Sequence, residues 1–226
     1  MFIELAELLR CPEKHESMPC VLAPHEMDGR RVVSGVVGCP VCKAEHEIAE
    51  GIVGFGEDPL LGLGSRSDDL TVEEMPSADD VQALLNIGSP GGYVVLVGSG
   101  ARLGEQLAAN TSGVHFVGLN PPPELRESES LSLLRSPHTM PLKDDSVRAV
   151  LMGREYVRNR WMDDAGRVLL PDGRLVAVVD ELSAAGVRQL VVGKGMWVGE
   201  KKSDSSSNPG TLPQSGLCTC PPRPGV

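Results

Sequence analysis

Tyr93-Val94-Val95-Leu96-Val97-Gly98-Ser99-Gly100 is the stretch that decides the predicted fold of this 226-residue chain. Its consecutive apolar residues predict a strand that is buried on both faces, and the Gly-Ser-Gly that follows predicts a tight turn. A helix is then predicted over 102–110, and a second apolar strand over 114–119. Strands that alternate with helices are typical of a parallel sheet with helices on its faces.

The same alternation extends to both sides of this stretch. Ser77 is well placed to cap a helix over 78–85, because its hydroxyl can accept from a free backbone N–H of the first turn. Downstream, strands are predicted over 131–134, 147–152 and 174–179, with a helix over 163–170. We therefore predict an α/β fold, with a Rossmann-like, doubly wound and mostly parallel sheet over residues 77–199.

The N-terminal residues 1–55 predict a separate small module. Apolar spacing predicts a helix over 2–10, and 32–37 predicts a strand that leads directly into Cys39-Pro-Val-Cys42. Two cysteines separated by two residues form a knuckle that holds half of a tetrahedral zinc site. Cys11 is the expected third ligand. The candidates for the fourth ligand are His15, Cys20 and His46, of which His15 is preferred because it forms a Cys-x3-His arrangement with Cys11.

Two segments carry no such pattern. Residues 56–76 are acidic and rich in glycine, which predicts a linker. Residues 200–226 are rich in Ser, Pro and Gly, and we expect this tail to be disordered because it cannot bury enough apolar surface. Cys218 and Cys220 in the tail have no assigned role, and free thiols are the simplest interpretation.

The charge distribution limits the classes of partner. The net charge is −10, with −4 in residues 1–50, −7 in residues 51–80 and +1 in the remainder. Direct nucleic-acid binding is disfavoured because neither half carries a stripe of Lys and Arg. No apolar stretch is long enough to span a membrane, and acids stand where a signal peptide places bases, so we expect a cytoplasmic protein.

The N-terminal module resembles a known family. Leu9-Arg10-Cys11-Pro12, followed by Cys39-Pro-Val-Cys42 and by Ile48-Ala-Glu-Gly-Ile52, is similar to the zinc-ribbon family that activates tRNA and rRNA methyltransferases. The resemblance covers about residues 5–55 and implies a bound Zn²⁺. The chain departs from the family at Lys14, where the second cysteine usually stands, and this departure is why His15 is considered as its replacement.

The second domain resembles the class I S-adenosylmethionine-dependent methyltransferases, of the type 11-like group. Asp164 to Val176 is similar to their helix, Pro-Gly turn and fifth strand, and Met140 to Val147 is similar to the approach to their fourth strand. The resemblance implies S-adenosylmethionine as the cofactor. The cofactor-binding positions that it implies are Gly98, Ser99, Gly100, Asn120 and Ser136.

The acids expected at this cofactor site are missing. Leu96, Asn120 and Ser136 stand at the three positions that the family gives to acids, and Arg102 replaces its third glycine. Each lost charge-assisted hydrogen bond costs on the order of 1.5–3 kcal/mol of binding. Glu155 and Tyr156 follow the fourth strand, where such enzymes place substrate-facing residues, but we expect both to be exposed to solvent. No catalytic residue is assigned.

These departures favour a pseudoenzyme, meaning a methyltransferase-fold protein that acts as a non-catalytic scaffold or regulatory subunit with a protein partner. The first alternative is an active methyltransferase of unknown substrate, which would hold its cofactor through backbone amides, Asn120 and Ser136. The second alternative is an adaptor whose zinc ribbon recruits the partner. Fold alone does not decide between them.

Overall fold

The computed structural model describes residues 1–56 and 75–203, and within these residues eleven strands form one continuous sheet. The strands are β1 (Val21–Asp28), β2 (Arg31–Gly38), β3 (Glu45–Ala49), β4 (Ile52–Gly54), β5 (Tyr93–Val97), β6 (His115–Leu119), β7 (Leu131–Arg135), β8 (Val147–Met152), β9 (Leu169–Ala177), β10 (Val187–Gly193) and β11 (Met196–Lys201). Their order across the sheet is β1-β2-β3-β4-β7-β6-β5-β8-β9-β11-β10.

The centre of the sheet is parallel and its two flanks are antiparallel. From β4 to β9 in the spatial order, each strand runs parallel to its neighbours, and β5 lies between β6 and β8. Val94 of β5 pairs with Phe116 on one side and with Ala149 on the other, and all three are fully buried. The predicted α/β fold with a doubly wound parallel sheet is confirmed.

Three α-helices in the described residues pack on this sheet: α1 (Ala78–Leu85), α2 (Gly104–Asn110) and α3 (Asn159–Val168). As predicted, Ser77 caps α1, and its hydroxyl accepts from the Asp80 amide at 3.1 Å. α1 and α2 contribute to the core on one face of the sheet, and α3 contributes to the core on the other. None of the helices in the described ranges is long and apolar enough to cross a membrane.

The N-terminal residues cover a part of the sheet that has no helix of its own. Between β6 and β7 the described chain forms turns and no helix, after a run of three prolines that begins at Pro121. Met1, Leu5 and Leu9 are fully buried in the same core as Val95 of β5. The N-terminal segment therefore supplies apolar contacts to the parallel centre of the sheet.

The N-terminal module and the parallel sheet are joined by backbone hydrogen bonds. β1, β2 and β3 form an antiparallel meander, and β4 then pairs in parallel with β7, where Val53 lies opposite Leu134. A second junction lies just before Cys11: the Arg10 amide donates to the Pro141 carbonyl at 2.9 Å, and the Lys143 amide donates to the Leu8 carbonyl at 2.8 Å.

Several predicted boundaries differ from the observed ones. The helix expected over 2–10 is a short 3-10 helix over Ile3–Glu7, and the helix expected over 102–110 is a 3-10 turn over Gly98–Leu103 followed by α2. The tail was expected from residue 200, whereas β11 continues to Lys201. Residues 57–74 and 204–226, including Cys218 and Cys220, lie outside the described residues.

Five strands of the described residues were not predicted from the sequence, namely β1, β3, β4, β10 and β11. β1 lies at one edge of the sheet and is mostly exposed, so its residues VLAPHEMD show no buried apolar face. β10 lies at the other edge and is also mostly exposed, and β11 joins it to β9. Edge strands bury little side-chain surface, and the apolar pattern that predicts a strand is correspondingly weak.

Candidate metal centre and cofactor crevice

Four side chains converge at the base of the N-terminal module: Cys11, His15, Cys39 and Cys42, whose ligand atoms all lie within 4.8 Å of one another. The Sγ atoms of Cys11 and Cys42 are 3.6 Å apart. His15 Nε2 lies 3.2 Å from Cys11 Sγ and 3.5 Å from Cys39 Sγ. The structure thus brings together the four residues that were predicted as metal ligands.

Local backbone structure positions these side chains. Cys39 follows β2, and a turn brings Cys42 back beside it, with the Lys43 amide donating to the Cys39 carbonyl at 3.1 Å. Lys43 has a φ of 62°, which is the left-handed conformation that closes this turn. On the other side, the Cys11 amide donates to the Met18 carbonyl at 3.1 Å and holds the loop that carries His15.

The orientation of the His15 ring suits a metal ligand. Its Nδ1 lies 2.6 Å from the Glu16 carbonyl oxygen. Because a carbonyl only accepts, this contact places the ring proton on Nδ1 and leaves the Nε2 lone pair directed towards the three sulfurs. Metal-bound histidines commonly make such a second contact, which fixes the tautomer and the ring orientation.

The donor set and its spacing fit a tetrahedral zinc ion. Zn–S bonds of about 2.3 Å at tetrahedral angles place neighbouring ligand atoms about 3.8 Å apart. The distances of 3.2–3.6 Å between these sulfur and nitrogen atoms lie close to that value. Three thiolates and one imidazole form a Cys₃His set, which is one of the usual compositions of structural zinc sites.

The thiols have pKa values shifted in opposite directions. Burial raises the pKa of Cys11 to about 12. Burial also acts upward on Cys39, but hydrogen bonds from the backbone amides of Cys42 and Val41 outweigh it and lower the Cys39 pKa to about 6. Of these two thiols, Cys39 is therefore the one that ionises first. A bound divalent cation would favour the thiolate form, because thiolates are the ligating form.

The other two candidates for the fourth ligand lie outside this group. Cys20 is buried, its amide donates to the Leu9 carbonyl at 3.2 Å, and burial raises its pKa to about 11. His46 is buried on β3 with its ring 4.6 Å from the ring of Phe55, and burial lowers its pKa. Both residues therefore contribute to the core of the module.

The second candidate site is the crevice where the strand order reverses. β6 and β7 lie on one side of β5, and β8 and β9 lie on the other. In open α/β sheets, ligands bind outside the carboxyl ends of the strands at this switch point. Here the two loops that border it are Gly98–Gly100 after β5 and Gly153–Tyr156 after β8.

The Glu155 side chain joins these two loops. Its Oε1 accepts from the Ser99 amide at 2.5 Å, and its Oε2 accepts from the Ser99 hydroxyl at 3.0 Å. Glu155 is only 2% exposed and Tyr156 is 6% exposed, so the expectation that both face solvent is wrong. The glycine loop favours this arrangement, because a side chain at Gly98 would collide with both Glu155 and Tyr156, and its φ of 61° also suits glycine.

Asn120 and Ser136 bind each other. The Asn120 side chain donates through Nδ2 to the Ser136 carbonyl at 2.7 Å, and its Oδ1 accepts from the Ser136 amide at 2.7 Å. Asn120 is 4% exposed and Ser136 is 1% exposed. The Asn120 amide thus holds together the chain that follows β6 and the chain that follows β7. An aspartate could accept from the amide but could not donate to the carbonyl.

The other residues that differ from the family pattern also make structural contacts within the fold. Leu96 is fully buried in the core beneath α1 and α2. Arg102 donates through Nε to Glu124 at 3.0 Å across the loop that follows β6. Gly98, Ser99 and Gly100, which were predicted to bind the cofactor, lie in the loop after β5, and the Ser99 amide there faces the chain's own carboxylate.

Aromatic residues close to Glu155 in the sequence indicate that this glutamate is buried. Tyr156 pairs edge-on with Trp161 at 5.1 Å, in a chain that has two tryptophans and two tyrosines. Glu155 and Tyr156 follow soon after a buried strand, and Trp161 comes five residues after Tyr156. Two large aromatic side chains in so short a segment favour burial over an exposed loop. The carboxylate then needs donors, and Ser99 in the facing loop provides them.

Solved structures provide a comparison for this geometry. Those similar to the chain include SAM-dependent methyltransferases. One from Aquifex aeolicus is 16% identical, with a TM-score of 0.43, over 64% of this chain and 98% of the other. The antibiotic-resistance methyltransferase Kmr is 13% identical, with a TM-score of 0.41, over 57% and 94% of the two chains. No protein-family profile and no curated protein sequence matches the chain.

A third neighbour belongs to a complex. It is a chain from the complex between the Haloferax volcanii Trm112 methyltransferase activator and a proposed methyltransferase, and it is 22% identical with a TM-score of 0.37. This match covers 44% of the present chain and 50% of the neighbour. The chain thus spans about half the length of that neighbour.

Proposed function

We propose that this chain is a zinc-binding, methyltransferase-fold protein that does not transfer methyl groups and acts as a scaffold or regulatory subunit for a protein partner. The observation that carries the proposal is the contact between Glu155 and Ser99 in the switch-point crevice. A carboxylate of the chain occupies the backbone and hydroxyl donors to which a ligand's polar group would otherwise bind.

The uncharged residues at the positions that would bind a nucleoside also support this proposal. Leu96, Asn120 and Ser136 carry no charge, and Asn120 is bonded to Ser136. Displacing Glu155 would take a buried carboxylate away from two donors. A charge-assisted hydrogen bond contributes about 1.5–3 kcal/mol, so a ligand must offset this contribution before it gains any affinity.

We further propose that Cys11, His15, Cys39 and Cys42 hold one structural Zn²⁺. When bound, the ion would supply a cross-link between the loop after Leu9 and the turn after β2. The four side chains fill all four tetrahedral positions, and a site without an open position is structural in character. We do not assign the ion a part in any reaction.

The adaptor alternative differs in what it requires of the N-terminal module. An appended recruiting element should be separable from the rest of the chain. Here β4 pairs with β7, and Arg10 is bonded to Pro141, so the module shares its backbone hydrogen bonds with the parallel sheet. This continuity favours a scaffold that acts as a single unit.

Calorimetric titration of the full chain tests the proposal, with S-adenosylmethionine and with its demethylated product. We expect no binding below millimolar concentrations for either molecule. A dissociation constant in the micromolar range would instead support the alternative of an active methyltransferase. Zinc content is measured separately by metal analysis of protein purified without a chelator, so the two parts of the proposal can fail independently.

A further inference from the structure

Arg135 is a buried cation that pairs with no carboxylate among the described residues. It is the last residue of β7 and is only 9% exposed. In the described part of the chain, its guanidinium group forms no hydrogen bond and no ion pair. Other partly buried arginines differ in this respect: Arg31 faces Glu127, Arg167 faces Asp144 and Asp164, and Arg174 faces Glu200. The N–H donors of the Arg135 fork are therefore not used by groups in residues 1–56 and 75–203.

The position of Arg135 is one where ligands bind in this class of fold. It lies at the carboxyl edge of the parallel strands, directly before Ser136. Its own carbonyl accepts from the Phe55 amide at 2.7 Å, which fixes the backbone from which the side chain projects. The polar edge formed by Asn120 and Ser136 is next to it in the sheet. The backbone at Arg135 is thus held, while no carboxylate of the described ranges pairs with its charge.

A second arginine increases the positive charge at this edge. Within the described residues, Arg126 donates to the carbonyls of Pro123 and Leu125, which carry no net charge. Burial lowers the pKa of Arg135, the neighbouring Tyr156 acts in the opposite direction, and the nearby positive charge of Arg126 lowers the pKa further. Two guanidinium groups close enough to repel each other raise the energy of the fold unless an anion lies near both.

We propose that Arg135, assisted by Arg126, binds a phosphate group, either as free phosphate or as part of a nucleotide. A dianion with three acceptor oxygens matches two cations better than a single carboxylate does. The planar guanidinium can bind two phosphate oxygens in parallel, which lysine cannot do. The site uses neither Ser99 nor Glu155, so it does not depend on the proposal that the methyl-donor crevice is closed.

The test is a titration of the full chain with sodium phosphate, compared with sodium chloride at matched ionic strength. We expect phosphate alone to raise the melting temperature and to give a calorimetric dissociation constant. Arg135→Gln should weaken phosphate binding at least about tenfold, and Arg126→Gln should weaken it severalfold. Arg160→Gln removes an exposed arginine on α3 and should leave phosphate binding unchanged.

Adenosine monophosphate and adenosine separate the two sources of the phosphate group. Tighter binding of the monophosphate than of phosphate, with no binding of adenosine, supports a nucleotide site. Equal binding of phosphate and the monophosphate supports a site for the phosphate group alone. Should Arg135→Gln fail to fold, Arg135→Lys keeps the charge without the fork and should bind phosphate more weakly than the unmodified chain.

The melting temperature of the phosphate-free Arg135→Gln variant gives a second, independent test of the proposal. A site residue whose charge lacks a counterion should be replaceable without loss, so Arg135→Gln should melt at or above the temperature of the unmodified chain. Two results overturn the proposal. One is a phosphate effect equal to that of chloride, and the other is unchanged phosphate affinity in both Arg135→Gln and Arg135→Lys.

Discussion

Glu155 accepts hydrogen bonds from both the backbone amide and the hydroxyl of Ser99, at 2.5 Å and 3.0 Å. The two residues lie in the two loops that border the reversal of strand order, one after β5 and the other after β8. The contact therefore links the two loops across the switch point and uses the Ser99 amide and hydroxyl as donors within the chain. It also gives a buried carboxylate its donors, which a group that is 2% exposed requires.

Glu155→Ala should destabilise the fold without creating a methyl-donor site. The substitution leaves the Ser99 amide without an acceptor and removes a charge-assisted pair, so we expect a loss of about 2–3 kcal/mol in the free energy of unfolding. Denaturant unfolding measures this loss of stability. Glu155→Gln is the matched control, because it keeps an acceptor oxygen and should cost less. An unchanged stability in Glu155→Ala would mean that the contact contributes little.

Asn120→Asp should destabilise the chain even though it restores an acid at the position where the methyltransferase family carries one. The aspartate cannot donate to the Ser136 carbonyl and would bring an anion against that oxygen, at a cost of about 1–3 kcal/mol. Chemical denaturation checks the cost, and calorimetry checks that S-adenosylmethionine still does not bind. Micromolar binding by this variant would show that the crevice can open easily.

The metal site gives a prediction about ligands. Protein purified without a chelator should contain one equivalent of zinc, and Cys39→Ser should lose it because three ligands remain. Cys20→Ser is the matched control, since Cys20 is a buried cysteine of the same module outside the group of four. Metal analysis measures the zinc content of the two variants, and only Cys20→Ser should keep a full equivalent. A full equivalent in Cys39→Ser would rule out this ligand set.

Removing the metal should weaken the whole chain and not only its N-terminal module. Cys11 follows directly after Arg10, whose amide is bonded to Pro141, so the metal loop and the approach to β8 are coupled. With a strong chelator we expect one cooperative transition, lowered on the order of 10 °C. Two separate transitions, with the second at the original temperature, would contradict this coupling.

His115 predicts a dependence of stability on pH. Burial lowers its pKa to about 4, from a value near 6.5 in an unfolded chain. Above pH 6.5 the ring is neutral in both states and costs nothing. As the pH falls from 6.5 towards 4, only the unfolded chain gains the proton, so stability is lost, by on the order of 2 kcal/mol after allowing for partial exposure.

His115→Gln isolates this contribution. Glutamine can still reach Ser132, whose hydroxyl lies 2.9 Å from the His115 ring nitrogen, but it does not titrate. The buried His46 is present in both proteins and contributes equally. The difference in unfolding free energy between the two proteins should therefore change between pH 6.5 and 5. A difference that is constant over this range would mean that His115 is protonated in the folded chain.

The sequence predicted those parts of the fold that depend on local pattern. Buried parallel strands such as β5 and β8 appear as apolar runs, and the cap of α1 depends on Ser77 and Asp80 alone. The exposed edge strands β1 and β10 escaped detection because few of their side chains are buried. The pairing of β4 with β7 escaped it because that pairing joins residues far apart in sequence.

The same distinction between local pattern and distant contacts applies to the candidate sites. Cys-x2-Cys and Cys-x3-His are short spacings, so the sequence could suggest the four residues that the structure brings together, with Cys20 and His46 as alternatives to His15. The contact between Glu155 and Ser99 joins residues that are 56 positions apart in the sequence. The environment of Arg135 depends on which carboxylates pair with the other arginines in the folded chain. Spacing in the chain does not contain such information.

A crystal of the full chain soaked in S-adenosylmethionine tests the central claim most directly. We predict that Glu155 stays bonded to the Ser99 amide and that no methyl donor occupies the crevice between Gly98–Gly100 and Gly153–Tyr156. A methyl donor bound there at full occupancy, with the Glu155 side chain displaced, would contradict the non-catalytic account.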